Sequence, residues 1–324
     1  MSNLDKLLVI GPGSLVGSRF IELLPSKIKV WGAGGTLDQD SKIESFNNLD
    51  ITSEEQVLEV VKNSPGDFVI NFAGLTAVDE IEKTRPSDPN DLKQLEENLA
   101  YKVNVIGTRN LVNAVKKSGK AAIFISTGFV FDGKNGPYSE EDLVATSPED
   151  VSFYAWTKVL AEKEIIDSGT HYLIVRISYP YRSSYPFKGD FARNFLKLYD
   201  EYKDGQRDSI YPIFADQTLT PTFIDDLAPA ITTLIYQKQK GIFHITSPDI
   251  TTPYQFACEI LRTARDVNDP EHLLTKGSII EFQKNHPGLA IRPLKGGEKS
   301  EKIAKLGFRP TGWREGIKKA FGSG

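Results

Sequence analysis

The chain has 324 residues, 40% of them hydrophobic and 25% charged, which is enough to build more than one hydrophobic core. A formal net charge of -4, with Lys and Arg scattered among acidic residues, offers no broad attraction for nucleic acid or an anionic membrane. One cysteine and four dispersed histidines exclude an internal disulfide and a metal site built from neighbouring ligands.

The first apolar run, residues 7–10, is too short for a secretion signal, and no run approaches the roughly 20 residues of a membrane span. A soluble protein of the reducing cytoplasm is expected. Apolar runs at residues 7–10, 28–31, 68–72, 121–126 and 172–177 read as buried strands, separated by segments of helical period. Strands without polar alternation, joined by helices, make a parallel sheet covered on both faces. The predicted fold is therefore an α/β, Rossmann-type doubly wound sheet over residues 1–178.

The first strand leads into Gly11-Pro12-Gly13-Ser14-Leu15-Val16-Gly17 and a helix carrying Phe20, Ile21 and Leu24, ended by Pro25. Glycines at such a turn permit positive φ and a close backbone approach to a pyrophosphate, while the helix N-terminus supplies partial positive charge. A purely structural β-to-α turn is the alternative. The second strand ends in Trp31-Gly32-Ala33-Gly34, without the acid that holds the ribose hydroxyls in NAD sites. Arg19 could pair with a ribose 2′-phosphate, or could be a solvated first-turn residue. Together these favour NADP(H) over NAD(H).

Further on, Thr52-Ser53-Glu54-Glu55 opens a helix that turns Val57, Leu58, Val60 and Val61 inward, and Pro65-Gly66 stops it. Residues 83–90 form a loop before one long helix over about 92–118. The strand at 121–126 ends in Ser126-Thr127, at the strand ends where ligands gather in an open parallel sheet. Tyr154 and Lys158 then lie one turn apart on one helix face.

That spacing suits proton transfer during hydride exchange between a nicotinamide and a carbonyl. A tyrosine of ordinary pKa about 10 needs a nearby ammonium to lower it for work near neutral pH, and Lys158 would supply one. Thr127 would orient the substrate oxygen. Beyond Ser178 the rhythm changes: residues 179–216 and 247–324 read as a smaller mixed α/β substrate-binding domain. A helix at 224–236 and a strand at 241–246 return to the first sheet, so that about 217–246 completes the Rossmann domain.

Read together, these features resemble the extended short-chain dehydrogenase/reductases and are most similar to the dTDP-4-dehydrorhamnose reductases. The likeness runs through Asp50-Ile51-Thr52, Asn71-Phe72-Ala73-Gly74, Thr76-Ala77-Val78-Asp79, Val103-Asn104-Val105 and Ser126-Thr127. It continues in Val130-Phe131-Asp132-Gly133, Tyr154 through Lys158, Thr220-Pro221-Thr222, Asp225-Asp226-Leu227-Ala228 and Trp313-Arg314-Glu315.

The resemblance implies Tyr154 as the acid, Lys158 as its partner and ribose ligand, and Thr127 as the substrate-orienting hydroxyl. It implies a phosphate loop of Gly11, Gly13, Ser14, Leu15, Val16 and Gly17, with Asp50 and Ile51 near adenine, and Ala73, Gly74 and Thr76 near the cofactor's phosphates and ribose. Val78, Gly128, Phe129 and Tyr179 would face the substrate. The chain departs from the pattern in Ser14 for the second glycine, in Gly128-Phe129 where Asp and Tyr usually follow the threonine, and in Tyr179 for a tryptophan. The function implied is reduction of a ketone on a small, sugar-like molecule. A nucleotide-sugar epimerase with bound NAD and a non-catalytic, NADP-binding regulatory subunit are the alternatives, and a homodimer is the commonest assembly.

Overall fold

Alternate residues of the first strand explain why its sequence is unbroken by polar residues after Lys6. In β1 (Lys6–Ile10), Leu7 and Val9 join one apolar cluster with Phe20, Ile21, Leu227 and Ile231, whereas Leu8 and Ile10 join another with Val57, Val61, Leu111 and Val115. Each side chain packs against helices on its own face, and full burial of one contributes about 1.5–3 kcal/mol. The computed structural model describes residues 4–35 and 42–322.

The other strands are β2 (Lys29–Gly34), β3 (Ser45–Asn48), β4 (Phe68–Asn71), β5 (Ala121–Thr127), β6 (Tyr172–Ile177), β7 (Ile213–Phe214), β8 (Gly241–His244) and β9 (Lys276–Gly277). Seven of them form a sheet in the order β3-β2-β1-β4-β5-β6-β8, and every pairing in it is parallel. This is the predicted Rossmann-type architecture. β7 and β9 pair separately.

A third apolar cluster draws Tyr181, Phe195, Phe223, Phe256, Leu261, Trp313 and Ile317 together from the helices Phe191–Lys203, Pro253–Arg265 and Trp313–Phe321 and the chain between. No helix among the described residues is long and apolar enough to cross a membrane.

Two local expectations change. Strand β3, Ser-Phe-Asn-Asn, went unpredicted because an edge strand needs one hydrogen-bonded neighbour and no buried face, and its residues are largely exposed. The long helix expected over 92–118 is broken. Asn98 takes an extended conformation, with ψ 130°, and its side chain caps a new start by accepting from the amides of Ala100 and Tyr101. A π-helical turn, Lys102–Ile106, precedes the regular helix Gly107–Ser118. That turn carries Asn104, which bonds both the N–H and C=O of Leu75 and the hydroxyl of Thr157, tying the β4 loop to the helix Phe153–Asp167.

Candidate active site

Beyond the C-terminal ends of β1, β4, β5 and β6 lies a cleft of about 680 Å³, where parallel sheets gather their ligands. Its floor begins with the glycine turn. Gly11 has φ +75°, and a Cβ there would come within 2.7 Å of the Ala73 amide nitrogen. At Gly17 a Cβ would stand 2.6 Å from the Gly11 carbonyl, so glycine lets the helix Leu15–Leu23 start in contact with the loop. Ser14, at the place of the family's second glycine, has a local task. Its hydroxyl accepts from the Gly17 amide at 3.0 Å and caps that helix.

Gly13, Ser14, Leu15 and Val16 line the cleft, as do Ala73, Gly74, Thr76 and Val78 from the β4 side. The Ser126 hydroxyl, buried at the end of β5 and also on the cleft wall, has no partner within the described protein. A glycine cradle at a helix N-terminus and an orphaned buried hydroxyl at a strand end fit a dinucleotide.

The helix Phe153–Asp167 starts at Ser152, whose hydroxyl accepts from Ala155 N, and brings Tyr154 and Lys158 to the cleft beside Thr127 and Phe129. Thr127 and Tyr154 line the same cleft, and the Thr127 hydroxyl acts on the phenol to lower its pKa. Lys158 Nζ donates to the Ile125 carbonyl at 2.9 Å, which anchors the ammonium to β5. The ring of Phe129 meets Tyr154 edge-on at 6.5 Å and Tyr179 at 5.6 Å. Tyr179 itself sits at φ +42°, and its hydroxyl accepts from Gln217 Nε2 at 3.1 Å.

The electrostatics correct one expectation. Burial pushes the Tyr154 phenol up to about 12, opposed by the Thr127 hydroxyl, rather than the ammonium pulling it down. Burial likewise pushes Lys158 down to about 8, with Glu162 opposing. For both groups desolvation by burial is the largest influence. The phenol therefore stays protonated through the neutral range and holds the proton that reduction of a ketone consumes.

Lys158 also carries a stability consequence. Its folded pKa lies below its unfolded value, so holding the charge costs the fold; the cost is full below about pH 8 and fades as pH rises toward 10.5. Lys158→Met is expected to stabilise the ligand-free protein at pH 7 by on the order of 1–3 kcal/mol and to erase activity, read by urea unfolding beside turnover. A destabilised Lys158→Met would show that the ammonium is a structural asset instead.

Other expected residues lie elsewhere. The Asp50 carboxylate accepts from the amide and hydroxyl of Thr52, a turn preceding the helix Glu54–Asn63, and Ile51 packs where a Gly107 Cβ would come within 2.8 Å of it. Neither lines the cleft, nor do Gly128 or Arg19. The guanidinium of Arg19 makes a bidentate pair with Asp225, at 2.7 and 2.6 Å, and also meets Glu22 at 2.8 Å. Its expected role as a 2′-phosphate partner therefore faces a competing claim. Arg19→Ala should lower stability by about 1 kcal/mol and leave the preference between NADPH and NADH unchanged in initial-rate assays.

The sequence reading missed groups that come from far along the chain. Lys188 donates to the Thr76 hydroxyl and Tyr185 to the Gly13 carbonyl, laying the segment before the helix Phe191–Lys203 across the cofactor side. Arg292 reaches the opposite lip, 2.5 Å from Asp79. The charged groups lining the cleft are Lys158, Lys188 and Arg292 together with Asp79 and Asp190, so the cations exceed the acids by one.

A Rossmann-type sheet with a threonine, a tyrosine and a lysine converging on its dinucleotide cleft defines an oxidoreductase of the extended short-chain dehydrogenase type. Within that class the chain belongs to the family described as the RmlD substrate binding domain, whose model matches residues 5–323. It is 26% identical over 321 residues to a dTDP-4-dehydrorhamnose reductase of Aggregatibacter actinomycetemcomitans, covering 97% of both chains. It is 28% identical to the spore coat polysaccharide biosynthesis protein SpsK of Bacillus subtilis, over 90% of this chain and 96% of that one. Among solved structures, a dTDP-4-dehydrorhamnose reductase of Bacillus anthracis in complex with NADP superposes with TM-score 0.76 at 24% identity, covering 98% and 99% of the two chains. One from Clostridium acetobutylicum gives 0.73 at 27% identity, with 97% and 98% covered.

Proposed function

We propose that the protein is a reductase that transfers hydride from NADPH to the ketone of a nucleotide-linked sugar. The observation that carries this reading is the convergence of Thr127, Tyr154 and Lys158 on one cleft with the Gly11–Gly17 turn. Family membership and relatives named as dTDP-4-dehydrorhamnose reductases support the substrate class.

NADPH supplies the hydride when bound. Gly13 through Val16 would hold its diphosphate, Thr76 and Lys158 its ribose side, and Ser126 is a free hydroxyl beside them. The Thr127 hydroxyl donates to the substrate carbonyl and steadies charge developing on its oxygen. Tyr154 delivers the proton that converts that oxygen to a hydroxyl. An acid is absent from β2, which ends at Gly34, and this favours a 2′-phosphate over a free ribose hydroxyl. The free, buried thiol of Cys258 suits a reducing compartment, the cytoplasm.

Mixing the protein with NADPH and dTDP-4-dehydrorhamnose should consume NADPH at 340 nm, leaving an alcohol product. If a panel of nucleotide-linked 4-ketosugars leaves NADPH untouched, the reading fails; tightly retained NAD(H), released only on denaturation, would instead support an epimerase.

A further inference from the structure

Glu298 occupies a place no local pattern foretells. It reaches from the C-terminal segment into the space between the ends of β5 and β6, where it is 2% exposed. One carboxylate oxygen accepts from the Ser178 hydroxyl at 2.7 Å and the other from the Thr220 hydroxyl at 2.8 Å, while its backbone N–H donates to Thr220 Oγ1 at 2.9 Å. A Cβ added at Gly128 would fall 1.2 Å from Oε1 and 2.2 Å from the carboxyl carbon. The carboxyl group therefore fills the volume that a side chain at 128 would take.

Gly128 does not have a positive φ, so the backbone does not demand glycine there. Glu298 does. Gly128 sits between Thr127 and Phe129, in a short turn closed by the Phe129 amide donating to Thr127 Oγ1 at 3.2 Å. Its neighbours on either side line the cleft while it faces the buried acid.

Keeping a carboxyl group here is costly. Among the described residues no lysine or arginine lies within ion-pair distance of Glu298, and its donors are hydroxyls. Burial pushes its pKa up to about 6, opposed by those two hydroxyls and by Arg176. An apolar side chain would fill the same space without that penalty. The group is instead well shaped to hold a turn: it joins Ser178 just after β6, Thr220 and the flank of Gly128.

We propose that Glu298 is a positioning residue, a wedge delivered from the C-terminal segment that sets how far the Thr127 hydroxyl and the Phe129 ring reach into the cleft. This chain leaves residue 128 without a side chain and brings a carboxyl group to its flank from position 298. The inference rests on the reading of Thr127 as the substrate-orienting hydroxyl.

Two sets of measurements test it on the full chain. With dTDP-4-dehydrorhamnose and NADPH, Glu298→Ala is expected to lower kcat at least tenfold with a smaller change in KM and unchanged NADPH affinity, whereas the shape-conserving Glu298→Gln stays within about threefold of the parent. Gly128→Ala should lose kcat similarly, and Gly128→Ala/Glu298→Ala should regain most of that loss because each substitution relieves the other. In parallel, hydrogen exchange read by mass spectrometry should rise at least tenfold over residues 127–131 in Glu298→Ala, but not over the helix Phe153–Asp167, and return in Glu298→Gln.

Unchanged exchange in Glu298→Ala, or a double variant no better than Gly128→Ala, overturns the wedge. If Glu298→Ala does not fold, Glu298→Gln and the Gly128 pair still decide. An inactive parent protein, with the exchange pattern as expected, overturns the reductase reading and leaves the wedge standing.

Discussion

Tyr154→Phe should cut kcat for ketone reduction by about 10²–10⁴-fold while NADPH binding, followed by its fluorescence, is unchanged. The substitution deletes one oxygen and keeps the ring, so the edge-on contact with Phe129 at 6.5 Å survives. What disappears is the proton for the nascent alkoxide. Without the proton donor, hydride arrival would leave an uncompensated oxyanion in a pocket that burial has made poor in solvation.

The environment of Tyr154 sharpens the expectation. With its pKa pushed up to about 12 in the ligand-free protein, the phenol stays protonated through the neutral range, so the reducing direction needs no prior proton uptake by the tyrosine. Lys158, pushed down to about 8, is the group that titrates closer to neutral. If the ammonium holds the cofactor's ribose, NADPH affinity should weaken as pH rises through about 8, and Lys158→Met should flatten that slope. A Tyr154→Phe protein with normal kcat would mean that the proton comes from elsewhere.

How far the sequence could be read depended on whether the physical cause was local. The strands β1, β4, β5 and β6 announce themselves because both faces are buried, and a continuous apolar run is the signature of that burial. β3 is invisible because it is polar and lies at the sheet edge. The break at Asn98 depends on a cap whose partners are two and three residues away, and whose amide also reaches Thr84; helical period alone does not register it.

The site divides in the same way. Tyr154 and Lys158 are spaced by one helix turn, so the pattern is written in the chain. Arg19 looked free because its partner, Asp225, is 206 residues distant. Ser178 and Glu298 are 120 residues apart, and Arg292 and Asp79 are 213 apart. Contacts of that range leave no periodic trace, and they are the ones that shape the substrate side of the cleft. Conversely, spacing led to the expectation that the Lys158 ammonium lowers the Tyr154 phenol, whereas burial, which spacing does not report, pushes that phenol up.

The largest stability effect is expected beneath the site, where Arg176 on β6 and Glu162 on the helix Phe153–Asp167 form a bidentate pair at 2.9 and 2.6 Å, 2% and 3% exposed. Glu162→Leu leaves a guanidinium buried without its carboxylate and should cost about 3–5 kcal/mol, read as a lowered urea midpoint. Arg176→Leu should cost a similar amount for the mirrored reason, and it also removes the guanidinium lying 4.9 Å over the Phe131 ring. The double variant Glu162→Leu/Arg176→Leu should recover most of the loss, since an apolar pair replaces an ionic one. Additive losses in the double variant would mean that packing, not charge, governs the position.

The pair also governs two titrations. His244, 3.4 Å from Arg176 Nη1, is pushed down to about 3 by burial first and by the guanidinium second. Because that lies below its unfolded value of 6.5, its neutral form contributes stability above pH 6.5 that is lost as pH falls toward 3. Arg176→Leu removes the second cause, so its acid unfolding should be spread less steeply across that window than that of Glu162→Leu. Glu162 in turn is the carboxylate that opposes the depression of Lys158. Its removal should move the alkaline weakening of NADPH binding to lower pH, a change that a merely loosened helix would not produce.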